Sequence, residues 1–322
     1  MNTAYLRAIT VCLPAAIESN DDLALKYPDW NPRRIEAKTG IYRRHIAAAD
    51  ELTSSLAIGA AQALFAQHAI RPEDIDHLIV CTQTPDHLIP STSCKVQHAL
   101  GLPTSCAAFD INMGCSGFVY GLHVARALVA SQVATNVLLI NADTYSKLLL
   151  EEDLSTRALF GDGATASLIS AQPGGAAIGA IELGTDGAGY ADFIAHNSAM
   201  AHDADKARQI HMDGPAIFNF TIERIPAALD AFLAAQQLQK SDIAYFVFHQ
   251  ANAYMLEHLR KKMGIDAARF PVILEDIGNT VSASIPTVLA GLMPTLKQGD
   301  RLLLVGFGVG LSWGISLLTW DI

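Results

Sequence analysis

Two segments of this chain close in the same way, and that likeness limits the folds open to it. Phe160-Gly161-Asp162-Gly163 leads into an apolar run to Ser170, and Phe307-Gly308-Val309-Gly310 leads into another to Leu318. Each ends a comparable series of strand-patterned and helix-patterned stretches, and Gln172-Pro173-Gly174-Gly175 breaks the chain between the two series. Duplication of one α/β unit is the economical explanation. We therefore expect two halves, 1–172 and 173–322, with chemistry-bearing residues where strand ends converge at their junction.

Short apolar runs at 8–13, 76–82, 106–110 and 136–141 predict strands in the first half, the second of them buried on both faces. An alanine-rich helical stripe covers 52–68, and Pro90-Ser91-Thr92 opens a helix to Leu100. In the second half, 177–183, 243–248 and 301–305 predict strands, and 215–236, 252–263 and 286–296 predict helices. The charge-rich stretch 19–50, with Trp30 and the basic pairs Arg33-Arg34 and Arg43-Arg44, gives no comparable periodic signal.

Composition narrows the function classes. Hydrophobic residues make up 51% of the chain and charged residues 17%, which implies extensive burial that could include a subunit interface. No apolar run reaches the ~18 residues of a membrane span, and Met1-Asn2-Thr3-Ala4-Tyr5 is not a basic start to a signal stretch, so the chain reads as cytoplasmic. Its five cysteines (Cys12, Cys81, Cys94, Cys106, Cys115) are odd in number and lack metal-ligand spacing, so neither a disulfide framework nor a metal site is expected. A net charge of −10 argues against a nucleic-acid surface.

Three stretches can carry chemistry. Cys115 sits in a Gly114-Cys115-Ser116-Gly117 turn between an apolar run and a helical pattern, where a helix start favours thiolate over thiol. From the turn alone, a buried structural cysteine is an equal reading. His249 follows a buried-strand run and Asn279 follows Gly278; singly, each is an ordinary strand-end or turn residue. Together they supply a nucleophile and two neutral N–H donors, a set suited to thioester chemistry.

In these motifs the chain resembles β-ketoacyl-acyl carrier protein synthase III, a condensing-enzyme family of the thiolase superfamily. The resemblance rests on Lys38-Thr39-Gly40-Ile41 with Arg44-His45-Ile46-Ala47, the Cys115 turn, Phe160-Gly161-Asp162-Gly163-Ala164, His249-Gln250-Ala251-Asn252, Gly278-Asn279-Thr280 and Gly310-Leu311-Ser312-Trp313-Gly314. It implies a thiolase-like α/β fold of two repeated βαβ-rich halves in five αβαβα layers. It also implies decarboxylative Claisen condensation: Cys115 takes an acyl group, and His249 and Asn279 stabilise the enolate of a malonyl thioester. The product would be a β-ketoacyl thioester of fatty-acid or specialised acyl biosynthesis. The backbone N–H groups of Cys115 and Val309 would form the oxyanion hole, and Phe118 and a dimer partner's Ile89 would line the acyl pocket. Trp30, Lys38, Arg157 and Ala251 would bind the thioester or coenzyme A, and Arg260-Lys261-Lys262 would dock an acyl carrier protein. Coenzyme A or carrier-protein thioesters would be substrates, with no cofactor and no metal, in a homodimer bound to neither nucleic acid nor membrane.

Several positions depart from the family pattern. Val309 stands where glycine is usual, Leu154 and Tyr254 stand where arginines are, and Trp30 comes several residues early, with Arg157 displaced. Three other readings compete. A papain-like hydrolase shares the Cys, His, Asn order but fits neither the flanking motifs nor the doubled pattern. Acyl transfer to an oxygen or nitrogen acceptor, without decarboxylation, would use the same nucleophile. The chain could also be a pocket-shaping partner subunit of a heterodimer.

Overall fold

The computed structural model describes residues 2–321; Met1 and Ile322, the outer ends of the two expected halves, lie outside it. The chain runs β1 (Tyr5–Cys12), β2 (Ile17–Ser19), α1 (Asn20–Lys26), α2 (Pro32–Thr39), β3 (Arg43–His45), α3 (Thr53–His68) and β4 (His77–Cys81). It continues through α4 (Thr92–Ala99), β5 (Ala107–Ile111), α5 (Gly117–Ala130), β6 (Asn136–Asp143), α6 (Leu154–Arg157) and β7 (Gly163–Ser170). Next come β8 (Gly175–Thr185), β9 (Phe193–His196), β10 (Gln209–Met212), α7 (Gly214–Ala235) and β11 (Tyr245–Phe248). Last are α8 (Ala253–Lys262), α9 (Ser284–Leu292), β12 (Arg301–Gly308) and β13 (Ser312–Asp321).

Among the described residues the main sheet has nine strands, ordered β11-β12-β13-β8-β1-β7-β6-β4-β5. The expected duplication is visible in its pairing. From β1, the neighbours β7 and β6 are antiparallel to one another and β4 and β5 continue in parallel. From β8, the neighbours β13 and β12 follow the same antiparallel pattern and β11 continues in parallel. The two runs join where Tyr5 and Leu6 face Ala177 and Ala176.

Strand alternation builds the layers. On β4 and β6, Leu78, Val80, Leu138 and Ile140 face a core with α3, whereas Ile79, Val137 and Leu139 face the central core. On β11 and β12, Val247, Leu302 and Leu304 face that same central core, whereas Phe246, Phe248, Leu303 and Val305 face a third core with α7 and α8. Helices α5 and α9 lie between the half-sheets, each touching strands of both. Burying a side chain of this size contributes about 2 kcal/mol, so a one-residue slip, which would exchange every layer, is strongly disfavoured.

The stretch without a sequence signal is also ordered. Ser19 and Asp22 form a capping box on α1, while Asn31 caps α2 and Gly40, at φ +70°, ends it. A β2–β3 ribbon ties this insertion together.

Candidate active site

Three chain segments converge on the turn that starts α5. The end of β12 lies directly on it: a Cβ at Gly306 would sit 2.8 Å from Ser116 Cα, and one at Gly308 would sit 2.9 Å from Cys115 Sγ. Only glycine fits Gly308, because its φ of +153° is also one that L side chains rarely adopt. Beside β12, the end of β11 delivers His249, whose N–H donates to Val305 O at 2.9 Å and whose ring meets Phe307 edge-on. The turn before α9 delivers Asn279 and reaches under the nucleophile turn, since a Cβ at Gly117 would sit 3.2 Å from Ser282 Cβ. Cys115, His249 and Asn279 are all buried.

Hydrogen bonding orients both donors. Ser284 Oγ lies 2.7 Å from His249 Nδ1 and also accepts from Gln250 N–H. A hydroxyl that accepts one N–H still has its proton to give, and a Ser284 proton given to Nδ1 would leave Nε2 as the N–H of the ring. Burial pushes the imidazole down to about 3, so it is neutral near pH 7. Asn279 Oδ1 accepts from Val281 N–H at 2.9 Å, which turns its NH₂ away from Val281. Val281 takes φ +54° to make that bond, a strain of about 1–2 kcal/mol for a β-branched residue.

The thiol differs from the expectation drawn from its helix start. Burial pushes Cys115 from 9.0 up to about 12, with the Val309 backbone pulling back and the Asp143 carboxyl pushing further. That rise is worth about 4 kcal/mol, against at most about 2 kcal/mol from a helix end. Desolvation outweighs the helix end and favours the neutral thiol at Cys115.

A wall of side chains that the sequence did not single out shares the Cys115 core: Tyr145, Phe160, Phe193, Ile210 and Phe307. Tyr145 packs at a tilt against Phe160, which packs at a tilt against Phe193, and the Tyr145 hydroxyl donates to Gln83. Phe160 and Phe307 were legible as the repeated motif but not as walls.

Other expected site residues fall elsewhere. Phe118 packs in the central core with Ile79, Leu139 and Val288 rather than with the Cys115 core, so its pocket assignment needs correction. Ile89 is 84% exposed on the loop before α4. Arg157 is tied to buried Glu18 at 2.9 Å and cannot present its charge to a ligand. Trp30 stacks on Tyr27 with centroids 4.6 Å apart, and Lys38 is exposed in the last turn of α2. Ala251 O accepts from Asn279 Nδ2 at 3.5 Å. Arg260 and Lys261 both pair with Glu257, and Lys262 Nζ donates to Ile222 O. Among the described residues no cluster of three or more His, Cys, Asp or Glu is placed to hold a metal ion, and no helix is long and apolar enough to cross a membrane.

Comparison with known proteins agrees with this geometry. Family profiles described as 3-oxoacyl-[acyl-carrier-protein (ACP)] synthase III, and as its C-terminal part, match residues 109–187 and 233–320. The chain is 37% identical over 323 residues to the β-ketoacyl-[acyl-carrier-protein] synthase III of Clostridium tetani, covering 96% of each. It is 37% identical over 328 residues to β-ketoacyl-[acyl-carrier-protein] synthase III 3 of Streptomyces coelicolor, covering 98% of this chain and 97% of that one. A crystal structure of a 3-oxoacyl-(acyl-carrier-protein) synthase III superimposes with a TM-score of 0.95 at 42% identity, covering 99% of this chain and 100% of that one. The thiolase-like fold, the repeated half-sheets and the Cys115 turn thus have one explanation: the chain belongs to the β-ketoacyl-[acyl-carrier-protein] synthase III family.

Proposed function

We propose that the protein catalyses decarboxylative Claisen condensation through an acyl-Cys115 intermediate. Cys115 sulfur attacks an acyl thioester, releases the donor thiol and keeps the acyl group. Backbone N–H groups of Cys115 and Val309 hold the oxyanion of that step. A malonyl thioester then enters and loses CO₂, and its enolate oxygen takes hydrogen bonds from His249 Nε2 and Asn279 Nδ2. The carbanion attacks the acyl-Cys115 carbonyl, giving a β-ketoacyl thioester and the Cys115 thiolate, which takes a proton from solvent to return to the thiol. What supports this reading is the convergence of the Cys115 turn with the ends of β11 and β12 and the turn before α9, with a neutral His249 that is a hydrogen-bond donor rather than a base.

Residues 1–172 supply the nucleophile and 173–322 the two donors, a division supported by the break between Ser170 and Gly175. Substrates are thioesters of coenzyme A or an acyl carrier protein, with no cofactor, in the cytoplasm. Trp30 and Lys38 remain as thioester-binding groups because α2 packs on α8 beside Ala251; Arg157 does not. For an acidic carrier protein, Lys261 is the most reachable cation of the basic cluster, its side chain 70% exposed despite the Glu257 pair, while Arg260 at 19% is held by Glu257 and Ile265 O. A homodimer is supported by the edge strand β5 with its half-exposed Phe109 and by exposed Leu88 and Ile89, an apolar margin that a second copy would cover.

Intact-mass measurement after incubation with an acyl-thioester panel tests the first step: an adduct in the wild type and none in Cys115→Ala. Malonyl thioester should then release CO₂. No adduct with any donor refutes the reading, and acyl turnover without CO₂ replaces it with simple acyl transfer.

A further inference from the structure

Ser116, just ahead of Gly117 at the start of α5, has helical φ −85° and ψ −5°, and its side chain caps no backbone N–H of the first turn. Its hydroxyl lies instead 2.8 Å from Ser312 Oγ, which lies 2.8 Å from Val309 O. The proton count sets the directions. A carbonyl only accepts, so Ser312 donates to Val309; its one proton is then spent, so Ser116 donates to Ser312. Both serines are 1% exposed, so water cannot stand in for a lost partner.

This hydroxyl chain crosses from one half of the molecule to the other and ends on Val309. The loop holding Val309 lies on the Cys115 sulfur, as the Gly308 contact shows. Val309 is flanked by Gly308 at φ +153° and Gly310 at φ +139°, so the peptide planes on both sides could turn with little resistance. The Gly308–Ser312 pairing and the Leu311–Asp186 hydrogen bonds close this turn, and two contacts act on Val309 itself: Ser312 on its carbonyl, and the notch at Gly114 in which its side chain lodges. A donor helps a developing oxyanion only if it is aimed before the charge appears.

We propose that Ser116 and Ser312 are positioning residues that hold the Val309 N–H on the oxyanion formed when Cys115 attacks a thioester. The role rests on the acyl-enzyme reading. The serines touch no reacting atom and act through Val309 alone.

The test is single-turnover acylation of Ser116→Ala, Ser312→Ala and the double variant, beside alkylation of Cys115 by iodoacetamide. Alkylation builds no oxyanion, so it reports the thiol and its access. Each single variant should acylate about tenfold more slowly while alkylation stays within about twofold, and the double should be little worse than either single, because both break one chain. Acylation unchanged in the variants, equal losses of acylation and alkylation, or fully additive losses would overturn the role. A wild type that alkylates but accepts no acyl group from any donor would overturn the acyl-enzyme reading and this role with it.

Discussion

Replacing Ser284 by alanine tests whether its proton sets the His249 tautomer. In the folded protein Ser284 Oγ stands 2.7 Å from Nδ1 and 3.3 Å from Gln250 N. Without it Nδ1 has no donor, and the ring can place its own proton there, leaving Nε2 bare where the enolate needs an N–H. A buried neutral hydrogen bond of this kind is worth about 1.5 kcal/mol, so the donating tautomer should lose roughly tenfold in population. In the proposed mechanism acylation does not use His249. Single-turnover acyl transfer to Cys115 should therefore stay within about twofold, while decarboxylation and condensation of malonyl thioester fall about tenfold or slightly more. Quenched-flow measurement of the acyl-enzyme together with CO₂ release separates the two half-reactions. Equal loss in both, or full retention of condensation, would refute the tautomer argument.

Other outcomes follow from the same geometry. With the Cys115 thiol held up to about 12, the acylation rate should climb with pH in proportion to hydroxide from about pH 6 to 9. Asp143, raised to about 7 by burial, gains its charge in that window and should bend the rise downward; a plateau below pH 8 at full activity would contradict the buried-thiol account. No transition from His249 should appear above pH 5, because its imidazole stays neutral there. Gly114→Ala should cost about 1–3 kcal/mol in urea unfolding, because the new Cβ meets Val309 and Gln83, and Val309→Gly in the same chain should restore part of it, the Gln83 contact remaining; additive effects would count against the Val309 contact. Arg157→Leu should destabilise the fold by leaving Glu18 with Lys26 alone, yet leave the KM for coenzyme A donors unchanged. A raised KM at full stability would return Arg157 to the ligand.

Much of the architecture was legible because buried strands leave a plain trace. The runs 76–82 and 243–248 contain β4 and β11, each apolar on consecutive positions because both faces are covered. Helix α7 showed its period along nearly its whole length, and Pro226 inside it did not break it. The insertion before α3 was harder. Its helices are short and bury little beyond Leu23 and Ile35, so no apolar stripe marks them, although Ser19, Asn31, Pro32 and Gly40 are the usual punctuation of helix ends. The Arg157–Glu18 ion pair joins residues 139 positions apart, a separation that no local pattern spans. Phe118 was misjudged for a related reason: α5 lies between two half-sheets, so it is apolar nearly all round and its sequence does not say which side faces the nucleophile. The thiol was misjudged because a helix start can be seen in sequence and desolvation cannot.

The repeated Phe-Gly turns have an evolutionary reading. Gly308 lies on the start of α5, and Gly161 donates its N–H to Asn279 O just ahead of α9, at 3.0 Å. Each copy of the ancestral unit thus clasps the other's helix entrance rather than its own. Counting back two residues from the first residue of each helix gives Cys115 ahead of α5 and Ser282 ahead of α9. Ser282 spends its hydroxyl on Asp143, carried by the opposite copy, at 3.2 Å. The molecule therefore keeps a silent twin of its nucleophile turn, in which the place of the sulfur has become a rivet between the two ancestral copies.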